Sequence, residues 1–388
     1  MKNSKKEFKL KPEDKLILSC GHSQVNDELE KKIIKLVNLN LDWEYIVDMA
    51  TRHRLRPLLY YNLNKICPDK VPEDVLVSLR EFYHSNVRKN LMMTGELVKI
   101  IEILESDDIK AIAYKGLVLA ASGYGNIGLR EFGDIDLFID KSNALKVRNT
   151  MLSNEYELLP PIKIEDSFYM KFNAEYRFIN KKKSNIIEIK WKFEDDFFSF
   201  PVNPQILLEE LIKLDINLFQ VHTFSPSNNL LIICIHCANH SWSRLSWICD
   251  ISEFIQSENI DWDDVLEKSD KLGVKRILLI NLILARDFFD LNLPDDILSH
   301  LNSDSSAKQI SFQIKKRIFK KQFNIAERLI LDLKKRENLK DGVKDCINGL
   351  ITPSYADFLD IPLHEKLFPL YHIIRPVLLL KRYGKGPV

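Results

Sequence analysis

Asp134 and Asp136 are separated by one residue in Asp134-Ile135-Asp136-Leu137-Phe138-Ile139, an apolar, β-branched run bounded by Gly133 that reads as a strand. Strand side chains alternate, so both carboxylates point to one face, a few ångströms apart. Two such acids repel and raise each other's pKa, an arrangement that calls for a cation. Mg²⁺ takes carboxylate oxygens together with substrate phosphates, which suits a triphosphate site. Glu188, between Ile187 and Ile189 on a further expected strand, projects away from its apolar neighbours in the same way. Three carboxylates on adjacent strands can hold two metal ions, one activating the attacking oxygen and one steadying the leaving phosphate. The plainer account of Asp-x-Asp is an exposed edge strand, where acids discourage edge-to-edge pairing.

The elements that must position these acids form the one mixed stretch of the chain. Ile109–Tyr114 alternates as a strand, Lys115-Gly116 makes a turn, and Leu117–Ser122 reads as a short helix. A glycine-rich loop, Gly123–Gly128, leads through Arg130 to the acidic strand. Asn143–Asn154 reads as a helix. Tyr176–Ile179 and Ile186–Trp191 read as strands joined by the polar turn Asn180–Asn185. Residues 1–90 are helical in pattern: Leu29–Leu41, a helix capped by Asp42, then Thr51–Ile66, breaks at Pro68 and Pro72, and an amphipathic run over Val75–Glu105. From Pro204 onward the pattern is helical again, with one long region over Ser227–Ile255. The expected fold class is α+β, a small mixed β-sheet flanked by N-terminal and C-terminal helical regions, divided as 1–90, 91–203, 204–300 and 301–388.

Other constellations compete for attention. Gly123-Tyr124-Gly125-Asn126-Ile127-Gly128 fits Gly-x-Gly-x-x-Gly, but it follows a helix and leads into a strand, the reverse of a dinucleotide fingerprint. A flexible loop, or one lying over a triphosphate, is the alternative. Arg130 has two readings, a phosphate ligand or a partner of Glu131 or the acids. Cys234, His236, Cys237, His240 and Cys249 match no common zinc spacing. His236, His240, Arg244 and Asp250 recur at helical spacing as one polar face. That face is either a hydrogen-bond network fixing the helix to the core or a wall of the substrate pocket. His240 and Arg244 lean towards the pocket, because a triphosphate needs cations that the acidic strand lacks. The tail, Leu367–Tyr383, reads as a packed terminal helix rather than an interfacial one, with Pro376 against a clean membrane-surface helix.

The combination of Lys115-Gly116, Arg130, Gly133-Asp134-Ile135-Asp136-Leu137 and His236…His240-Ser241-Trp242-Ser243-Arg244-Leu245-Ser246-Trp247-Ile248-Cys249-Asp250 resembles the DNA polymerase beta-type nucleotidyltransferase superfamily, and within it an uncharacterised bacterial branch. The resemblance spans roughly residues 30–290. It implies a nucleotidyltransferase core in residues 91–203 and a substrate-side helical domain in 204–300. It also implies a reaction in which an NTP co-substrate, ATP or another, passes its nucleotidyl group to an acceptor and pyrophosphate leaves. Asp134, Asp136 and Glu188 would be the metal-binding acids, with Lys115, Gly116, Arg130, His240 and Arg244 around the nucleotide. Three positions depart from the pattern. Lys115-Gly116 stands in place of Gly-Ser, Lys190 in place of His, and Glu188 in place of Asp. Lys115 would act as a point charge on phosphate.

Bulk properties narrow the partners. Fifty-six basic residues against 55 acidic ones leave a net charge of +1, so no field draws the whole molecule to nucleic acid. The charged start and the lack of a long apolar run give no signal peptide or transmembrane segment, and the expectation is a cytoplasmic protein. Six scattered cysteines suit reduced thiols. The acceptor is a small molecule, a peptide or a protein. The rival expectation is a catalytically inactive module that kept the fold and binds a nucleotide or a partner.

Overall fold

Local capping decides where the N-terminal helices begin. The computed structural model of the protein describes residues 9–162, 164–180, 185–193, 200, 203–216, 219–320 and 325–383. Helices α1 (Pro12–Ser19), α2 (Asp27–Val37), α3 (Trp43–Arg52) and α4 (Arg56–Ile66) precede the long α5 (Glu73–Ser106). The Asn26 and Asp42 side chains accept from the Leu29 and Tyr45 N–H groups and so cap α2 and α3. The expected run Thr51–Ile66 is split, because Arg54 adopts a left-handed backbone (φ 56°) between α3 and α4. In α5 the apolar residues recur at three and four, and Leu97, Ile100, Ile101 and Leu104 are buried.

The sheet follows. Its elements in chain order are β1 (Ile112–Tyr114), α6 (Gly116–Ser122), β2 (Asp134–Phe138), α7 (Ala144–Ser153), β3 (Tyr156–Leu158), α8 (Asp166–Phe172), β4 (Glu175–Asn180) and β5 (Ile186–Lys190). The strand order is β1-β2-β5-β4-β3. β2 and β5 run parallel and every other pair is antiparallel, so the sheet is mixed as expected. β1 is shorter than the expected Ile109–Tyr114. The expected turn Asn180–Asn185 falls mainly on residues 181–184, outside the described residues.

Alternation sorts the sheet into two faces. Ile135, Leu137, Tyr176, Phe178, Ile187 and Ile189 join one core with α5, α7 and α8. The opposite face carries Asp134, Asp136, Glu188 and Lys190. At its β1–β2 end Tyr114 and Phe138 enter a second core formed mainly by the remaining helices.

Two expectations are corrected after Pro204. The chain does not return directly to helix: a hairpin of β6 (Leu211–Ile216) and β7 (Phe219–Phe224) comes first, and Phe224 packs edge-on against Tyr114. Nor is Ser227–Ile255 one helix. It is α9 (Pro226–Asn239) and α10 (Leu245–Ser257), broken where Ser241 and Trp242 take left-handed φ values of 53° and 50°. Tertiary contacts hold that break. Trp242 is buried and donates to Asn281 Oδ1 at 2.8 Å, while His53 Nδ1 accepts the Leu245 N–H at the start of α10.

α11 (Trp262–Lys271), α12 (Lys275–Phe289), α13 (Asp295–Ser303), α14 (Ser305–Arg317), α15 (Ile325–Lys334), α16 (Leu339–Ile351), α17 (Tyr355–Asp360) and α18 (Tyr371–Tyr383) complete the chain. α18 runs through Pro376, with Tyr371, Arg375 and Leu378 buried and Ile373, Val377 and Leu380 exposed. Among the described residues no helix is long and apolar enough to cross a membrane.

Candidate active site

Register brings the sequence-nominated acids together. Asp136 lies opposite Glu188 on β5, and Glu188 lies opposite Arg177 on β4. Residues paired across a ladder share a face, so these side chains form a row across three strands. Lys190 and Glu175 are the next pair on the same face of the antiparallel β4–β5 ladder.

Asp136 is the most telling member. It is 7% exposed, and its one partner among the described residues is the Lys115 ammonium at 3.5 Å, beyond good hydrogen-bond length. Burial raises its pKa above the ordinary carboxylate value; Asp134 adds to the rise and Lys115 opposes it. Asp134 is half-buried at the start of the strand.

Lys115 reaches this position through strain. Its φ of 53° is a left-handed backbone that side-chain-bearing residues avoid. Gly116, next to it, permits the close approach. A Cβ there would stand 3.2 Å from the Asp134 carbonyl oxygen and 3.9 Å from Asp136 Oδ2. The Lys-Gly turn therefore sits directly on the acidic strand.

Glu188 is held differently. Arg177 Nη2 lies 3.1 Å from one of its oxygens and Lys190 Nζ 3.7 Å from the other. The same two cations bind Glu175, at 2.6 Å from Arg177 Nε and 3.1 Å from Lys190. Burial, followed by repulsion from Glu175, pushes Glu188 up to about 7. Burial would raise Glu175 too, but Lys190 and Arg177 outweigh it and hold Glu175 below its usual range. Glu175 and Arg177 escaped sequence reasoning. Their alternation with Tyr176 and Phe178 is visible, but their relation to Glu188 appears only with the register. Tyr114 was also missed: its hydroxyl is buried with no hydrogen-bond partner among the described residues, and the charges of Lys190 and Asp136 act on it.

The His-rich segment contributes a wall. The His236 and His240 rings meet at 4.6 Å, and Trp247 packs against both at 5.4 and 4.8 Å. Burial, then Lys115, depresses both imidazoles, His240 to about 4. At neutral pH they are uncharged donors or acceptors rather than cations. Arg244 lies over the Trp247 ring at 5.0 Å.

Arg130 is committed elsewhere. Its Nε and Nη2 bind the two Asp250 oxygens at 2.7 and 2.8 Å, and its Nη1 donates to the Gly116 carbonyl at 3.2 Å. Tyr124 donates to Asp250 at 2.8 Å. The glycine loop is pinned as well. Asn86 donates to the Gly128 carbonyl and Asn90 to that of Ile127, and both donate to the Arg130 carbonyl. His236 and Asp250, expected on one helical face, sit on different helices: one against His240 and Trp247, the other in this clamp. The scattered cysteines are free thiols.

The row of acids, the Lys-Gly turn and the His–Trp wall occur within a segment that also matches a family model. Residues 40–290 fit the model of uncharacterised nucleotidyltransferases. The chain belongs to that family. Among solved structures, this nucleotidyltransferase-family chain is similar to an antigenic nucleotidyltransferase-like protein from Paracoccidioides brasiliensis. The two are 18% identical over 55% of this chain and 96% of the other, with a TM-score of 0.36. No curated protein matches the chain.

For metal binding, the chemistry of the donors is the test. Asp134 and Asp136 are hard oxygen ligands on one face, and Asp136 has no hydrogen bond among the described residues. That fits a magnesium ion completed by phosphate oxygens and water. Glu188 is neutralised by two side-chain cations, and among the described residues no group of three or more His, Cys, Asp or Glu is placed to hold a metal.

Proposed function

We propose that this protein is a metal-dependent nucleotidyltransferase of the DNA polymerase beta type, moving a nucleoside monophosphate from an NTP to an acceptor. The observation that carries the reading is Asp136: buried, without a hydrogen bond among the described residues, beside Asp134 and facing a strained Lys-Gly turn. A buried carboxylate so poorly compensated is costly, and strain of this kind persists where function requires it.

In this reading Asp134 and Asp136 hold magnesium, which would neutralise charge on the phosphates when bound. Lys115 binds a phosphate oxygen once it exchanges Asp136 for the nucleotide. The neutral His236 and His240 and the Arg244 guanidinium line the nucleotide side. Glu188 receives the proton. The acceptor hydroxyl or amine attacks the α-phosphorus, the new P–O or P–N bond forms, the bond to the pyrophosphate oxygen breaks, and the acceptor proton passes to a Glu188 carboxylate oxygen. A second metal ion would require Glu188 to release Lys190 and Arg177.

Those two ion pairs also favour a second reading, a module that binds the nucleotide without turning it over. One experiment addresses both: thermal melts with each NTP, with and without Mg²⁺, followed by an assay for pyrophosphate release. A ligand at a hundredfold its Kd stabilises the fold by about 2.7 kcal/mol. A Mg²⁺-dependent shift with pyrophosphate release supports the enzyme. A shift without release in the presence of acceptors supports the binding module, and no shift at millimolar NTP sinks both.

A further inference from the structure

We propose that the cavity between β4 and the C-terminal segment 352–375 is the acceptor pocket, and that it takes a small molecule with a flat aromatic body and an anionic group. The assignment of an acceptor rests on the function proposed above.

Position is the first argument. The cavity has a volume of about 330 Å³, at the lower end of the range for small-molecule sites. Glu175 and Arg177 form part of its wall. Both belong to the charged face of the sheet, and Arg177 sits in register with Glu188, which sits in register with Asp136. Strands lie about 4.8 Å apart, so the backbone of Arg177 stands roughly 10 Å from that of Asp136. Tyr169 and Phe172 come from α8 on the other face, so the cavity lies at the start of β4, and a molecule seated against Arg177 is separated from Asp136 by one intervening residue, Glu188.

Lining chemistry is the second. Tyr169, Phe172, Tyr355 and Leu359 supply flat and aliphatic surface. Tyr169 is stacked on Tyr176 at 5.3 Å and meets Tyr355 edge-on at 5.1 Å, so the aromatic wall is held in place from behind. Two arginines line the cavity, and they differ. Arg375 is tied to Asp357 and to Ser354 and is nearly buried, so it serves as scaffold. Arg177 has a half-exposed side chain and uses Nε and Nη2 on the two glutamates, leaving Nη1 without a partner among the described residues. That nitrogen offers a hydrogen-bonded seat to a carboxylate or phosphate.

Rigidity is the third. Ser354 and Asp357 form a capping box at the start of α17, Asp357 also pairs with Arg375 and Arg382, and the Tyr371 hydroxyl donates to the Ile361 carbonyl. The far wall is therefore preorganised by groups outside residues 40–290, the part that matches the family. Family members sharing the nucleotide side would then differ in acceptor through this C-terminal wall.

The test uses the full-length protein and ligand-observed NMR with three probes, 4-hydroxybenzoate, 4-aminobenzoate and phenyl phosphate, with 4-methylphenol as the uncharged control. Leu359→Trp and Ala356→Trp fill the cavity from exposed positions. Expected is binding of at least one anionic probe, roughly tenfold tighter than the control, and weakened about tenfold or more by either tryptophan. The Mg²⁺-dependent NTP melting shift should stay unchanged in both variants. No binding of any probe, or binding indifferent to both variants while the NTP shift persists, overturns the pocket and leaves the proposed function standing. Probe binding that the tryptophans abolish, in a protein with no NTP shift, overturns the acceptor role together with that function.

Discussion

Two charged clusters in this molecule each combine a base, a tyrosine and a carboxylate, and they behave in opposite ways. Around Asp250, an arginine, a tyrosine and a carboxylate close on one another at 2.7–2.8 Å. Around Asp136, a lysine, a tyrosine and a carboxylate face each other without closing: the lysine stands at 3.5 Å and the Tyr114 hydroxyl has no partner among the described residues. The first cluster satisfies its members and fixes α10 to the Arg130 loop. The second leaves its members short of partners at the edge of the charged sheet face. Saturation is what distinguishes the two, since both clusters are largely buried and both lie in the family segment.

The largest expected effect breaks the open cluster. Asp136→Asn keeps the shape and removes the charge. Turnover should fall by about a thousandfold or more if the carboxylate positions metal and phosphate at the transition state, equivalent to about 4 kcal/mol. The Mg²⁺-dependent NTP shift should vanish, while the melting temperature without ligand holds or rises, because the repulsion with Asp134 is gone. A variant that retains both shift and turnover would move the site away from β2.

The same operation on the closed cluster should damage folding. Asp250→Ala leaves the Arg130 guanidinium and the Tyr124 hydroxyl without their partner. Breaking a buried pair from one side costs about 3–5 kcal/mol. Denaturant unfolding should show that loss. A loss below about 1 kcal/mol, with NTP affinity abolished instead, would mean that Arg130 serves the nucleotide and that the two clusters are one.

These two clusters also show what the sequence carries and what it does not. Asp-x-Asp on a β-branched strand is a local signal, so β2, its faces and the adjacent Lys-Gly turn were legible. Arg130 was ambiguous because its partner lies 120 positions away. The break between α9 and α10 has no glycine or proline; it exists because Trp242 is anchored to Asn281, a tertiary fact. Leu211-Ile212-Lys213-Leu214-Asp215-Ile216 suits a helix as well as a strand, which hid the β6–β7 hairpin. Glu175 and Arg177 acquired meaning only when pairing set them beside Lys190 and Glu188.

A smaller effect sharpens the contrast by pH. Glu253, one turn beyond Asp250 on α10, is pushed up to about 7 by burial and, further, by Asp250, against the hydrogen bond from Ser23. With a folded pKa above the ordinary 4.5, its protonated form is the one the fold favours. That stability is fully present below about pH 4.5 and is lost as pH rises through 7. Moving from 4.5 to about 7 corresponds to about 3 kcal/mol. Glu253→Gln should therefore stabilise the protein by up to about 3 kcal/mol at pH 8, and the gain should disappear by pH 4. A gain that does not change with pH would show that Glu253 is not the titrating group.

The smallest effect isolates strain. Lys115 holds φ at 53°, a conformation glycine adopts without penalty. Lys115→Gly relieves that strain, about 1 kcal/mol in favour of the fold, while removing the cation paired with Asp136. The net stability change should be small and positive in low salt. NTP binding should weaken roughly tenfold with the loss of a phosphate contact. Lys115→Ala separates the terms: it removes the charge but keeps the strain, so it should match the glycine variant in affinity and fall below it in stability. If both variants bind NTP as the wild type does, the strained lysine serves only to neutralise Asp136, and the open cluster is a weaker version of the closed one.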